Sequence, residues 1–255
     1  MEENKQTEAG MTESSLRYRK QRQEHWSLLA RKMDASKSMG SYYHKRIVEI
    51  YQFLIAPDQR IIEIGCGEGG LLSALKPSPG VGIDFCAEMI ESARKKHPEL
   101  QFLLCDAHEI DLNEKFDVVI LSDLINDLWD VQRVFEQIQK IITPETRIII
   151  NSYSRVWELP LTLTQKMGLA TPVLPQNWLT TDDIENMLHM AGFEVVRHWL
   201  EILWPLNTPV MCKVFNNILA KLWPFYYFAL TNFIIARPAQ VRRTGRKKPV
   251  VSVIV

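Results

Sequence analysis

The chain has 255 residues, enough for one large domain or two small ones, and its 46% hydrophobic and 24% charged residues are ordinary for a globular protein. Thirty basic residues balance thirty acidic ones, so nothing electrostatic argues for nucleic acid as a partner. Four cysteines without C-x-x-C spacing argue against a disulfide framework and against a metal site, and point to the cytoplasm, a reducing compartment.

The N-terminus, MEENKQTEAGMTESS, is polar and acidic and reads as no secretory signal. Residues 1–20 lack apolar periodicity and are expected to be disordered. A polar, aromatic-dotted stretch over 21–45 predicts a helical cap, and residues 46–238 form the main domain. Arg46–Leu54 is an amphipathic helix with Ile47, Ile50, Tyr51 and Leu54 on one face. Strand Arg60–Ile64, a glycine-rich turn and a helix through Leu75 come next, then strand Val81–Asp84 and helix Ala87–His97. Strands follow at Gln101–Cys105 and Phe116–Ser122, a long helix at Asp127–Ile142, and a fifth strand at Arg147–Asn151. Thr180–Asp183 starts a helix with an acidic first turn that stops at Gly192. Phe193–Leu203 and Phe228–Ala236 supply two late strands. Between them, an apolar stripe over Thr208–Trp223 predicts a helix packed under those strands in preference to a membrane-surface helix. The late run WPFYYFALTNFIIA is broken by Pro224 and Asn232 and falls short of the roughly 20 residues that cross a bilayer, so no transmembrane segment is expected. Alternating strands and helices predict an α/β fold, a parallel sheet covered on both faces with its ligand at the carboxyl ends of the strands.

The stretch IIEIGCGEGG over 61–70 fits two cofactor fingerprints. Gly65, Gly67 and Gly70 have the G-x-G-x-x-G dinucleotide spacing, while Glu63, Gly65, Gly67 and Gly69 spell E-x-G-x-G-x-G. Both need glycine, because the backbone turns tightly and lies against a ligand. Charge separates them. A pyrophosphate at a helix N-terminus is repelled by Glu63, whereas the ammonium of S-adenosylmethionine suits it. Asp84 ends the second strand about 20 residues after the loop, the spacing of a ribose-binding carboxylate. Asp106 ends the third strand, where a carboxylate can take the amine of adenine.

These residues resemble the class I S-adenosylmethionine-dependent methyltransferases, whose motifs read here EIGCGEG, VGIDFCAEMIESA, CDA and FDVVILSDLI. The resemblance spans about residues 45–238 and implies a Rossmann-like fold with a mostly parallel, seven-stranded sheet. It implies that Glu63, Gly65, Cys66, Gly67 and Gly69 hold the methionine moiety and Asp84 the ribose. Asp106 and the Ala107 backbone then hold adenine, with Phe85 and Met89 beside the base and Ser122 at the end of the fourth strand completing the set. The turn before the fifth strand departs from the family, reading ITPETR.

Methyl transfer from a sulfonium is an in-line displacement, in which positioning supplies about 7–11 kcal/mol and a general base about 10²–10⁴ in rate. Acceptor-side candidates follow the fourth and fifth strands: Asp123, Asn126, Asp127 and Tyr153, with a cap of the long helix expected of one of the acids Asp123, Asp127 and Asp130. His44, with Tyr42 and Tyr43, is placed on a lid over the cofactor. The N-P-P-Y motif of relatives that methylate base amines is absent. The end of the chain, KKPVVSVIV after the basic linker ARPAQVRRTGR, resembles the first strand of family 2 glycosyltransferases. Residues 239–255 then read as a basic linker and the start of such a domain, with a small-molecule, glycan or lipid-linked acceptor methylated at oxygen. Two other readings stand beside this one: a non-catalytic cofactor-binding module, and an NAD-dependent oxidoreductase, which Glu63 and the lack of a Tyr-x-x-x-Lys pair disfavour.

Overall fold

A computed structural model describes residues 13–33, 41–166, 174 and 176–239, apart from 206, 207, 209, 210, 212, 213 and 217. Largely apolar runs such as IIEI and FDVVILS, broken only by Glu63 and by Asp117, bury both faces and form central strands. Seven strands result: β1 (Ile61–Ile64), β2 (Gly80–Asp84), β3 (Gln101–Leu104), β4 (Phe116–Ser122), β5 (Ile142–Tyr153), β6 (Phe193–Glu201) and β7 (Thr231–Pro238). They hydrogen-bond in the order β3-β2-β1-β4-β5-β7-β6. All neighbours are parallel except β7, which runs antiparallel to both β5 and β6. The helices are α1 (Glu13–Met33), α2 (Ser41–Leu54), α3 (Gly70–Ala74), α4 (Ala87–Lys96), α5 (Val131–Ile138), α6 (Glu158–Lys166) and α7 (Thr181–Met190).

Successive residues of a strand point to opposite faces, which divides the core in two. Ile62, Ile64, Val119 and Leu121 pack with Phe135 and Ile138 of α5 and Leu188 of α7. Ile61, Val118 and Ile120 pack on the other face with Ile50 and Tyr51 of α2 and with Phe233. The fold is Rossmann-like. Because β1 pairs with β2 on one side and β4 on the other, the chain direction of the crossovers switches at β1, and a crevice opens there at the carboxyl ends.

Several boundaries differ from the sequence-based expectation. Residues 13–20 belong to α1, so disorder is not their state; Tyr18 and Asp127 contacts hold this helix across the sheet edge. The long helix expected over Asp127–Ile142 is divided: a 3-10 turn spans Ile125–Asp127, and Asp130 caps α5 by accepting from Arg133 N at 2.9 Å. Strand β5 begins at Ile142, pairs with Phe116 and resumes regular pairing at Arg147 after a register shift. The helix start at Thr180 is a capping box with Asp183. The stripe expected beneath the last strands is instead exposed at Met211, Val214, Ile218 and Leu222. The disorder expected of residues 1–12 and the linker and strand expected at 240–255 lie outside the described residues. No helix among the described residues is long and apolar enough to cross a membrane.

Candidate cofactor and acceptor site

A cavity of about 330 Å³ occupies the crevice. The loop after β1 forms its floor: the Gly65 and Cys66 amides both donate to the Ile83 carbonyl, at 2.8 and 3.0 Å, which folds the loop tightly over β2. Gly67 has φ +51° and lines the cavity, and a Cβ there would meet no atom within 4 Å. The missing side chain therefore leaves a bare backbone cradle open to a ligand. Gly69 serves the fold instead. It starts α3 at φ +77°, and a Cβ would lie 2.4 Å from the Phe102 ring.

Asp84 lines the cavity with both carboxylate oxygens already accepting: Oδ2 from Gly67 N and Oδ1 from Cys86 N, each at 2.9 Å. Burial raises its pKa, and these amide bonds oppose the shift. A carboxylate has about four acceptor positions, so Asp84 retains capacity for a hydroxyl donor from the cavity. Asp106, Ala107, Phe85, Met89 and Ser122 line the same space. His108 grips Asp106 through its backbone N at 2.9 Å and its ring Nδ1 at 2.7 Å, and Arg19 Nε stands 3.2 Å from the other oxygen. Burial pushes the Asp106 carboxyl up, but His108 and Arg19 together hold it below its ordinary value.

Glu63, Cys66 and Gly69 do not line the cavity. Glu63 is buried one layer behind the loop, where its Oε2 accepts from Leu72 N at 3.1 Å and so caps α3. Burial pushes its pKa up to about 8, with that bond opposing. Cys66 packs its sulfur against the space over Gly82. Two of the three strand-end acids thus share the cleft, and the third supports it from below.

The acceptor side is built around Asp123, whose backbone is left-handed at φ 53°. Its Oδ1 accepts from Tyr43 Oη and from Asn151 Nδ2, both at 2.7 Å. Asn151 in turn accepts from Tyr51 Oη at 2.8 Å, and Tyr43 packs on Tyr153 with ring centroids 5.9 Å apart. Burial raises Asp123 to about 7, opposed by Tyr43 and reinforced by the nearby Asp127. Asp127 lines the cavity and is paired with Arg22 Nη1 at 3.0 Å. Asn126 and Tyr153 stand outside the wall: the Asn126 side chain accepts from Tyr153 N at 3.1 Å and donates to the Asn177 carbonyl at 2.9 Å, stapling the loop to β5. His44 is exposed, while its neighbour Tyr43 turns inward.

Sequence reasoning missed the roof. Tyr18, Arg19, Arg22 and Trp26 of α1 all line the cavity, and Trp129 closes it with its ring 5.1 Å from that of Tyr18. Their spacing of three and four residues within a polar stretch was the available signal, a helical stripe of aromatic and arginine side chains.

A bare backbone cradle and the Asp84 and Asp106 carboxylates meeting in one cavity fit S-adenosylmethionine, and the sequence match agrees: residues 55–192, more than half of the chain, match the methyltransferase domain family. The chain belongs to that family. This methyltransferase is similar to a demethylmenaquinone methyltransferase of Thermotoga maritima, 26% identical over 185 residues, covering 62% of this chain and 79% of that one. It is also similar to an arsenite methyltransferase of Halobacterium salinarum, 27% identical over 153 residues, covering 56% of this chain but only 39% of that one. Among solved structures, the magnesium protoporphyrin IX methyltransferase of Synechocystis with bound S-adenosylhomocysteine shares the fold. Its TM-score is 0.54 at 18% identity, over 77% of this chain and 84% of that one. The methyltransferase uses S-adenosylmethionine as its cofactor.

Proposed function

We propose that this enzyme methylates a small-molecule acceptor at oxygen, with Asp123 receiving the acceptor's proton. When bound, S-adenosylmethionine supplies a methyl group already activated on sulfur. Asp84 holds the ribose, Asp106 and Ala107 hold the adenine, and the open backbone at Gly67 admits the amino-acid end. Glu63 acts on this site indirectly, by fixing the start of α3. In the methyl transfer that the cofactor would supply, the acceptor's hydroxyl proton would pass to Oδ2 of Asp123, since both bonds that the described residues make to that carboxylate fall on Oδ1. Tyr43 and Asn151 fix the direction of the carboxylate, and Asn126 and Tyr153 position the loop.

The observation that carries the acceptor side is a cavity-lining carboxylate with a pKa of about 7, the range in which a general base works best near neutrality. Small-molecule acceptors are supported by the names of the similar proteins, which cite demethylmenaquinone, arsenite and magnesium protoporphyrin IX. A glycan or lipid-linked acceptor and an attached glycosyltransferase rest on the resemblance of the basic linker and residues 246–255, and of the stretch from Asn151 to Leu188, to such proteins, and a cytoplasmic location on the scattered cysteines. The test is transfer of a tritiated methyl from S-adenosylmethionine to hydroxyl-bearing quinols, phenols and glycolipids. Label in the acceptor that is lost with Asp123→Asn supports the reading. Tight S-adenosylhomocysteine binding without turnover on any of them favours a regulatory cofactor-binding module instead.

A further inference from the structure

The loop after β3 folds back on its own carboxylate. Asp106 Oδ1 accepts from His108 N at 2.9 Å, a bond that any residue but proline at position 108 could make through its backbone. The imidazole adds what the backbone cannot. Its Nδ1 stands 2.7 Å from the same Oδ1, and its Nε2 meets the Asp130 amide at 3.2 Å, just ahead of α5. Arg133, in the first turn of α5, donates from Nε to the His108 carbonyl at 3.0 Å and ties the loop to that helix a second time. A main-chain N–H can only donate, so the Nε2 facing Asp130 must carry the lone pair. The ring is then neutral, and its single N–H sits on Nδ1 and points at Asp106. The Asp130 amide thus selects the tautomer that donates to the carboxylate.

The consequence falls on the other oxygen. With two bonds from His108 on Oδ1, the carboxylate is fixed in direction, and Oδ2 meets Arg19 Nε at 3.2 Å at the cavity wall. A carboxylate has about four acceptor positions, so Oδ2 retains capacity for one more donor. The amine at C6 of adenine is such a donor. A carbonyl at C6, as in hypoxanthine, offers only lone pairs to an anion and is repelled. We propose that His108 is a positioning residue for cofactor recognition, its Nδ1–H fixing Asp106 so that Oδ2 selects a 6-aminopurine against a 6-oxopurine. This rests on the reading of Asp106 as the carboxylate that holds adenine, and it extends that reading to a residue which need not touch the base.

The test is titration calorimetry of the full chain with S-adenosylhomocysteine and with S-inosylhomocysteine, reading the ratio of the two affinities. The wild type should favour the adenine form by about a hundredfold or more, since the inosine form leaves a charged acceptor without its donor. Two amide variants separate the ring nitrogens. His108→Asn can place an N–H near the Nδ1 position and keep the bond to Asp106, while His108→Gln can place an acceptor near the Nε2 position and keep the bond from Asp130. His108→Gln should lower the ratio about tenfold or more, and His108→Asn should hold it within about threefold of the wild type. A role confined to bracing α5 gives the opposite order, with the ratio kept by His108→Gln and lost by His108→Asn, and overturns the proposal. A ratio unchanged in both variants, or lowered equally in both, overturns it as well. Asp106→Asn tells this failure from failure of the adenine reading. If that substitution leaves the ratio intact, Asp106 does not hold the base; if it collapses the ratio while His108→Gln does not, the error is confined to His108.

Discussion

Asp123 holds a left-handed backbone, φ 53°, that costs a non-glycine residue of order 1–3 kcal/mol. Tyr43 and Asn151 over-determine it, and the return is a carboxylate aimed from the end of β4 with a pKa near neutrality. A base must be ionised to accept a proton, so activity should rise with pH through about 7 and then level. Asp123→Asn should lower kcat/KM by about 10²–10⁴ and remove that limb of the profile, read from initial rates between pH 5.5 and about 9. Glu63 titrates with a different consequence. Its folded pKa, about 8, exceeds the ordinary 4.5, so the stability it contributes is complete below 4.5 and is lost as pH rises through 8. Glu63→Gln carries no such proton. In urea unfolding the variant should gain on the wild type steadily from pH 5 to about 8 and no further above; parallel pH curves would mean the carboxyl is not desolvated.

At the scale of elements, the glycine loop and α1 do separate work. Gly67→Ala places a methyl in open cavity, so it meets no atom and costs only the backbone strain of φ +51°, about 1–2 kcal/mol. Tm should fall by a few degrees while affinity for S-adenosylhomocysteine falls about tenfold or more by calorimetry. Gly69→Ala should do the reverse, since its methyl would meet Phe102 and lower the melting temperature first. Helix α1 is held over the cavity by Arg22 on Asp127, Arg19 on Asp106, and Ser27 on Glu88 of α4 at 2.8 Å. Arg22 is only 4% exposed, and removing one partner of a buried pair costs about 3–5 kcal/mol. Asp127→Ala should therefore release α1 locally: amide exchange should quicken over residues 18–27 while β1 and β4 stay protected. Equal loss of protection in the sheet would show that α1 is part of the global folding unit.

For the whole molecule, a ligand that binds only the folded state at about a hundred times its Kd adds about 2.7 kcal/mol. In a domain of this size that raises Tm by roughly 5–10 °C, expected with S-adenosylhomocysteine and not with NADH. The seven strands of a mostly parallel sheet, the helix start at Thr180 and the meeting of Asp84 and Asp106 in one cleft were legible from residues 46–238 alone. These depend on short-range rules: alternation along a strand, periodicity along a helix, glycine where φ is positive, and a carboxylate at a strand's end. What the linear order left undecided were contacts between distant segments. Tyr43 reaches Asp123 across 80 residues and Tyr18 reaches Asp127 across 109, and neither separation leaves a local trace. The tertiary structure alone turned Glu63 away from the cavity toward Leu72, assigned Asn126 to a loop staple, and brought α1 over the cofactor site as its roof. Packing made these choices, because a side chain's partner is whatever the folded chain brings within about 3 Å of it.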